Sequence, residues 1–164
     1  MTNSIPMLQA RYAHTNLVAS DWQRLARFYA EVFGCVPLLP ERDYSGESFD
    51  RLVAIDGARL QGIHLRLPGH GDNGPTLEIF SYAPDLPAPT PSPNRRGYGH
   101  LAFAVEDVTY ARQVVLAAGG GEIGDVVRFA LPDGSAVTAT YVTDPESNII
   151  ELQSWQAAPR KPGP

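Results

Sequence analysis

The chain repeats itself, and the repeat restricts its fold more than any other feature of the sequence. With His14 set against His100, HTNLVASDWQRLARFYAEVFG (14–34) runs without a gap against HLAFAVEDVTYARQVVLAAGG (100–120), and Asp21 falls on Asp107 and Gly34 on Gly120. Each copy has a short alternation of apolar and polar residues, an Asp, a stretch at helical period, then Gly. The alternation reads as a strand with Leu17 or Phe103 on one side and His14 or His100 on the other. Asp21 and Asp107 suit the N-cap, where a carboxylate accepts from free backbone N–H groups. Leu25, Phe28 and Val32 form one helical stripe, and Ala111, Val114, Val115 and Ala118 the other. Gly34 and Gly120 suit the left-handed position that ends a helix.

The second halves of the copies also match. GARLQGIHLRLP (57–68) aligns with GSAVTATYVTDP (134–145), placing His64 on Tyr141, and PTLEIFSY (75–82) aligns with NIIELQSW (148–155), placing Glu78 on Glu151. The expected fold class is therefore α+β, built from two tandem units of a strand, a helix and two or three further strands. The expected boundaries are 8–82 and 98–156, within one structural domain. Between them, 83–97 carries five prolines in fifteen residues, the composition of an extended, semi-rigid linker. The tail 157–164 is expected to be disordered.

Two glutamates stand in otherwise apolar strands, Glu78 in TLEIF and Glu151 in IIELQ. A buried carboxylate is costly unless paired, hydrogen-bonded or bound to a metal. Alternation puts Glu78 and Glu151 on the faces opposite Leu77 and Ile79, and Ile150 and Leu152, which are expected to pack on the helices. The histidine faces look the same way. If the units pair with pseudo-twofold symmetry, His14, Glu78, His100 and Glu151 converge on one divalent metal ion, with Zn, Ni, Co, Mn and Fe all suited to imidazole and carboxylate donors.

The composition closes other routes. A chain of 164 residues with 43% hydrophobic and 19% charged residues is long enough for a core and is not disordered. Its net charge of −5 argues against a nucleic-acid partner or an anionic membrane surface, both of which need a basic patch. The single cysteine, Cys35, excludes an intrachain disulfide and reads as a buried filler. No apolar run is long enough to span a membrane, and the N-terminus lacks a signal-peptide pattern. The expectation is a cytoplasmic protein with a small-molecule substrate, as a homodimer.

At the residues quoted above the sequence resembles the vicinal oxygen chelate superfamily: glyoxalase I, methylmalonyl-CoA epimerase, extradiol dioxygenases and bleomycin and fosfomycin resistance proteins. The resemblance covers about residues 10–156 and is closest in the opening HTNLVASDWQRLARFYAEVFG, in GHLAFAV and in the closing TDPESNIIELQSW. It implies two βαβββ modules forming a U-shaped mixed sheet around a metal site, with His14, His100, Glu78 and Glu151 as ligands.

Within that family Glu78 favours proton transfer over ring cleavage, because the dioxygenases use two histidines and one glutamate and leave this position without an acid. The expected activity is that of a divalent-metal-dependent lyase, isomerase or epimerase of glyoxalase type, moving a proton α to a carbonyl. Glu151 is the first choice for the base and Glu78 the second. The alternatives are an extradiol-type dioxygenase and a drug-binding resistance protein without turnover. His64, Arg66, Tyr141 and Phe49 are further substrate-binding candidates, Arg66 because its guanidinium can clamp a carboxylate or phosphate. Each also reads as an ordinary strand-face or core residue, as do Tyr44, Tyr98 and Trp155 as pocket walls. His70 reads as a loop residue. The polar segment 40–50 has no counterpart in the second unit and is expected to be a loop over the site.

Overall fold

Each half of the repeat folds into its own sheet with a helix on one face. The computed structural model describes residues 7–159. The first half consists of β1 (His14–Val18), α1 (Trp22–Phe33), β2 (Val36–Ser45), α2 (Glu47–Val53), β3 (Arg59–Arg66) and β4 (Thr76–Ala83). The second consists of β5 (Leu101–Ala104), α3 (Val108–Ala117), β6 (Gly121–Glu122), β7 (Val127–Ala130), β8 (Ala136–Thr143) and β9 (Ile149–Gln156). The strand orders are β1-β4-β3-β2 and β5-β9-β8-β6, with β7 also pairing β8. In each sheet the first strand runs parallel to the last, and the remaining pairs are antiparallel. The fold is α+β, and the repeat in the sequence is a repeat of topology.

The helix caps form as expected at three of four positions. Asp21 accepts from the Arg24 N–H and Asp107 from the Tyr110 N–H, each at 3.0 Å. Gly34 ends α1 in the left-handed region at φ +70°, which glycine adopts without steric cost. After α3 the left-handed residue is Gly119, at φ +92°, and not Gly120. Gly120 answers to a different constraint: a Cβ there would sit 2.3 Å from the Thr143 carbonyl oxygen and 2.6 Å from Val115 Cγ1.

Segment 40–50 is not the open loop expected. It completes β2 and begins α2, which lays Phe49 against Leu60, Phe80 and Ala58 in a small second core. The main core is shared by both halves, with Leu25, Tyr29, Leu77 and Ile79 of the first packed with Val115, Ile150 and Leu152 of the second. Polar contacts lock this junction. Tyr29 Oη donates to Asp144 Oδ2 at 2.8 Å, Ser20 Oγ donates to Glu146 at 2.7 Å, and the Phe33 and Phe103 rings stack with centroids 4.0 Å apart.

Residues 84–100 between the sheets form no helix or strand. Of the expected tail, residues 157–159 are described and 160–164 lie outside the described residues. No helix among the described residues is long and apolar enough to cross a membrane.

Candidate functional site

Strand parity in the first sheet brings three of the expected residues together. Asn16 in β1 and His64 in β3 flank Glu78 in β4 as its register partners, so Glu78, His64 and His14 share one face, opposite the core-facing Leu77 and Ile79. His14 Nδ1 lies 3.3 Å and His64 Nε2 3.2 Å from the same carboxylate oxygen, Glu78 Oε1. Glu78 is buried at 7% exposure, and these imidazoles are what its charge faces. Burial holds the His64 pKa below the usual histidine value; the Glu78 carboxylate opposes that shift, while Arg42 and His14 add to it. His64 is thus a neutral imidazole at pH 7, with a nitrogen lone pair to accept a proton or bind a cation.

The second sheet repeats the arrangement. His100, just before β5, places Nε2 3.0 Å from Glu151 Oε2. Tyr141 opposes Glu151 across β8 and β9 as His64 opposes Glu78 across β3 and β4. Its ring centroid is 5.2 Å from that of His100, and its pKa is raised by burial and by the Glu151 charge. This half is more open: the Glu151 side chain is 22% exposed against 10% for Glu78.

The two pairs stay apart within one chain. They stand on separate sheets, each on the side away from the shared core, and no group of three or more His, Cys, Asp or Glu able to hold a metal forms among the described residues. Each pair nevertheless has the spacing of neighbouring ligands. Donors bound at about 2.1 Å to one cation, at angles between octahedral and tetrahedral, lie about 3.0–3.4 Å apart.

The other candidates fall in different places. Arg66 is tied to Asp72. Phe49 is buried beneath α2, its ring against Tyr82 and Tyr44. Tyr44 and Trp155 are exposed, and His70 lies in a loop. Tyr98 lines a cavity of about 320 Å³ together with Asn16, Thr90, Arg95, His100 and Asn148. That cavity touches only the His100 edge of the second pair. Arg42, which sequence reading missed, faces the same side of the first sheet as His64, opposite Gly62.

Comparison with known proteins agrees with this architecture. The model of the Glyoxalase/Bleomycin resistance protein/Dioxygenase superfamily matches residues 11–152. A probable lactoylglutathione lyase of Vibrio parahaemolyticus is 27% identical over 157 residues, covering 93% of this chain and 96% of that protein. A shorter stretch of 60 residues is 33% identical to an iron–sulfur cluster assembly SufBD family protein of Mycobacterium tuberculosis, of whose length it spans 15%, and of this chain 37%. The solved glyoxalase family protein of Bacillus cereus has the same fold, with a TM-score of 0.73 at 19% identity over 96% of this chain and 99% of that one. The fosfomycin resistance protein of Listeria monocytogenes, solved with Mn(II) and 1S,2S-dihydroxypropylphosphonic acid, superposes with a TM-score of 0.51 at 15% identity over 90% of this chain and 93% of that one. From its duplicated topology and the span of the family match, the chain belongs to the glyoxalase/bleomycin resistance protein/dioxygenase superfamily.

Proposed function

We propose that the chain is a divalent-metal-dependent lyase, isomerase or epimerase of glyoxalase type, working as a homodimer on a small organic substrate. The observation that carries this reading is the matched pair of contacts, His14 with Glu78 and His100 with Glu151, on equivalent strands of two sheets. One pair supplies too few donors for a protein metal site. Strands β1 and β5 are each the free edge of their sheet. A twofold axis would set the first-half pair of one copy beside His100 and Glu151 of the partner subunit, and would do so twice.

Such a four-donor set suits a divalent cation, which when bound supplies Lewis-acid stabilisation of a carbonyl oxygen as negative charge develops on it. The chain's own carboxylates move the proton. Glu151 is the better base of the two, because it faces one imidazole and is the more accessible, whereas Glu78 is held between His14 and His64. In this role Glu151 takes the proton from the carbon α to the carbonyl and returns it to a neighbouring position. Tyr141, beside it, keeps its proton at neutral pH and offers a hydroxyl to the substrate.

The test is elemental analysis of the purified chain, followed by α-proton exchange in D2O with α-keto hemithioacetals and acyl-CoA thioesters, and oxygen uptake with catechols. Glu151→Gln is expected to keep much of the metal and lose about 10²–10⁴-fold in turnover. Unchanged turnover overturns the assignment of the base. Oxygen uptake with catechols in place of exchange overturns the reaction class.

A further inference from the structure

We propose that Arg42 forms an anion subsite on the His14–His64–Glu78 face and selects substrates that carry a carboxylate or phosphonate several bonds from the reacting carbon. This rests on reading that face as part of the active site and adds the substrate class to it.

Three observations place the subsite. First, β2 slips against β3 between Leu38 and Arg42: Leu38 opposes His64 and Arg42 opposes Gly62. An unbroken ladder would put Pro40 opposite Gly62 and Arg42 opposite Leu60. The bulge draws Arg42 one repeat of the pleat towards His64, the kind of re-aiming for which bulges recur beside active sites. Second, the residue it faces has no side chain and cannot acquire one. A Cβ on Gly62 would come 2.0 Å from the Ile79 carbonyl oxygen and 2.4 Å from Phe80 Cδ1. Gly62 therefore puts no side chain between Arg42 and Phe80, its register partners on the two neighbouring strands.

Third, among the described residues Arg42 has no counter-ion. The other two arginines of β2 and β3 are paired, Arg59 with Asp43 and Arg66 with Asp72. Arg42 is half-buried, and among the described residues its side chain donates only to the Pro40 carbonyl, through one Nη1. The remaining guanidinium N–H groups keep the fork that binds a carboxylate or phosphonate through two hydrogen bonds. From strand spacing, Arg42 Cα lies roughly 12 Å from Glu78 Cα, two strands across and one pleat repeat along. A side chain of that reach leaves room for a small bifunctional molecule, its anionic end on Arg42 and its carbonyl beside the carboxylates.

The experiment titrates the full chain with benzoate, phenylphosphonate and uncharged benzamide, with and without cobalt(II), following amide and side-chain NMR shifts. Both anions are expected to bind more tightly than benzamide. Arg42→Gln should weaken them about tenfold or more while leaving benzamide unchanged. Arg42→Lys should restore phenylphosphonate binding more than benzoate binding, because a point charge keeps the attraction and loses the fork. Arg51→Gln, on the exposed side of α2, is the control. Anions that bind no better than benzamide, or bind Arg42→Gln as well as the wild type, overturn the subsite.

Cobalt(II) absorption on the same samples separates this from the parent reading. A normal cobalt spectrum with no Arg42-dependent anion binding removes the subsite alone. Arg42-dependent anion binding without cobalt uptake supports the subsite and removes the metal site.

Discussion

His64 Nε2 lies 3.2 Å from Glu78 Oε1, the same oxygen that His14 Nδ1 approaches at 3.3 Å. The first half-site is therefore braced from two strands, whereas Glu151 in the second meets one imidazole and, across the ladder, a tyrosine. Groups that hold a metal's carboxylate ligand in place commonly change affinity by about 10–100-fold when removed. His64→Leu is expected to weaken divalent-metal binding by about tenfold, and His64→Gln by less, because its amide can still donate to Glu78. Competition titration against a chromophoric chelator measures both; equal affinity in wild type and His64→Leu would show that the contact does not brace the ligand.

Much of this arrangement is legible in the sequence because duplication makes weak signals coincide. A strand histidine or a strand glutamate alone says little, but His14 with Glu78 matched by His100 with Glu151 fixes both the strands and their faces. What escapes is set by long-range packing. The separation of the two pairs follows from the junction of α1 with the second half, made by Tyr29 with Asp144 and Phe33 with Phe103. Nothing local encodes it. Arg42 escapes because its place depends on the slip in β2, and counting along the strand would set it opposite Leu60. Arg66 has the expected parity, yet it is engaged by Asp72 from a loop whose path the sequence does not reveal.

Pairing between copies can be read from mixed dimers. One copy carries His14→Ala with Glu78→Gln, the other His100→Ala with Glu151→Gln. Neither homodimer retains an intact four-donor site. Each mixed dimer recovers one, built from the intact first half of one copy and the intact second half of the other. Co-expression is therefore expected to restore about one quarter of the wild-type metal content if the copies associate at random. Complete absence of recovery, with mixed dimers present by mass spectrometry, would place both pairs of each site within one chain.

The junction within the chain is expected to be a stability determinant. Tyr29 is fully buried and donates to Asp144, which also accepts from the backbone N–H groups of Glu146 and Asn148 and from the Asn148 side-chain amide. Burial raises the pKa of Asp144, and these hydrogen bonds oppose the rise. Tyr29→Phe removes one donor from a buried carboxylate and should cost about 1–3 kcal/mol in chemical denaturation. Asn148→Ala removes a donor to the same oxygen, Oδ2. The double variant should lose more than the sum, because either donor alone still satisfies the shared oxygen and only the double variant leaves it bare.

Cys35 gives a pH-dependent signature independent of the active site. It is 3% exposed in the shared core, and burial pushes its thiol from 9.0 up to about 11. Below about pH 9 the thiol keeps its proton both folded and unfolded, so it contributes no pH dependence. Between about 9 and 11 the unfolded chain ionises and the folded one does not, so stability falls as pH rises through that window, by on the order of 2 kcal/mol in all. Cys35→Ala should flatten this part of the stability profile, as measured by urea midpoints at pH 8, 9, 10 and 11. In the native protein at pH 8 the thiol should also react slowly with Ellman's reagent, because the thiolate is the nucleophile. Fast reaction before unfolding would mean that the thiol is accessible and ionised, and that the core around α1 opens.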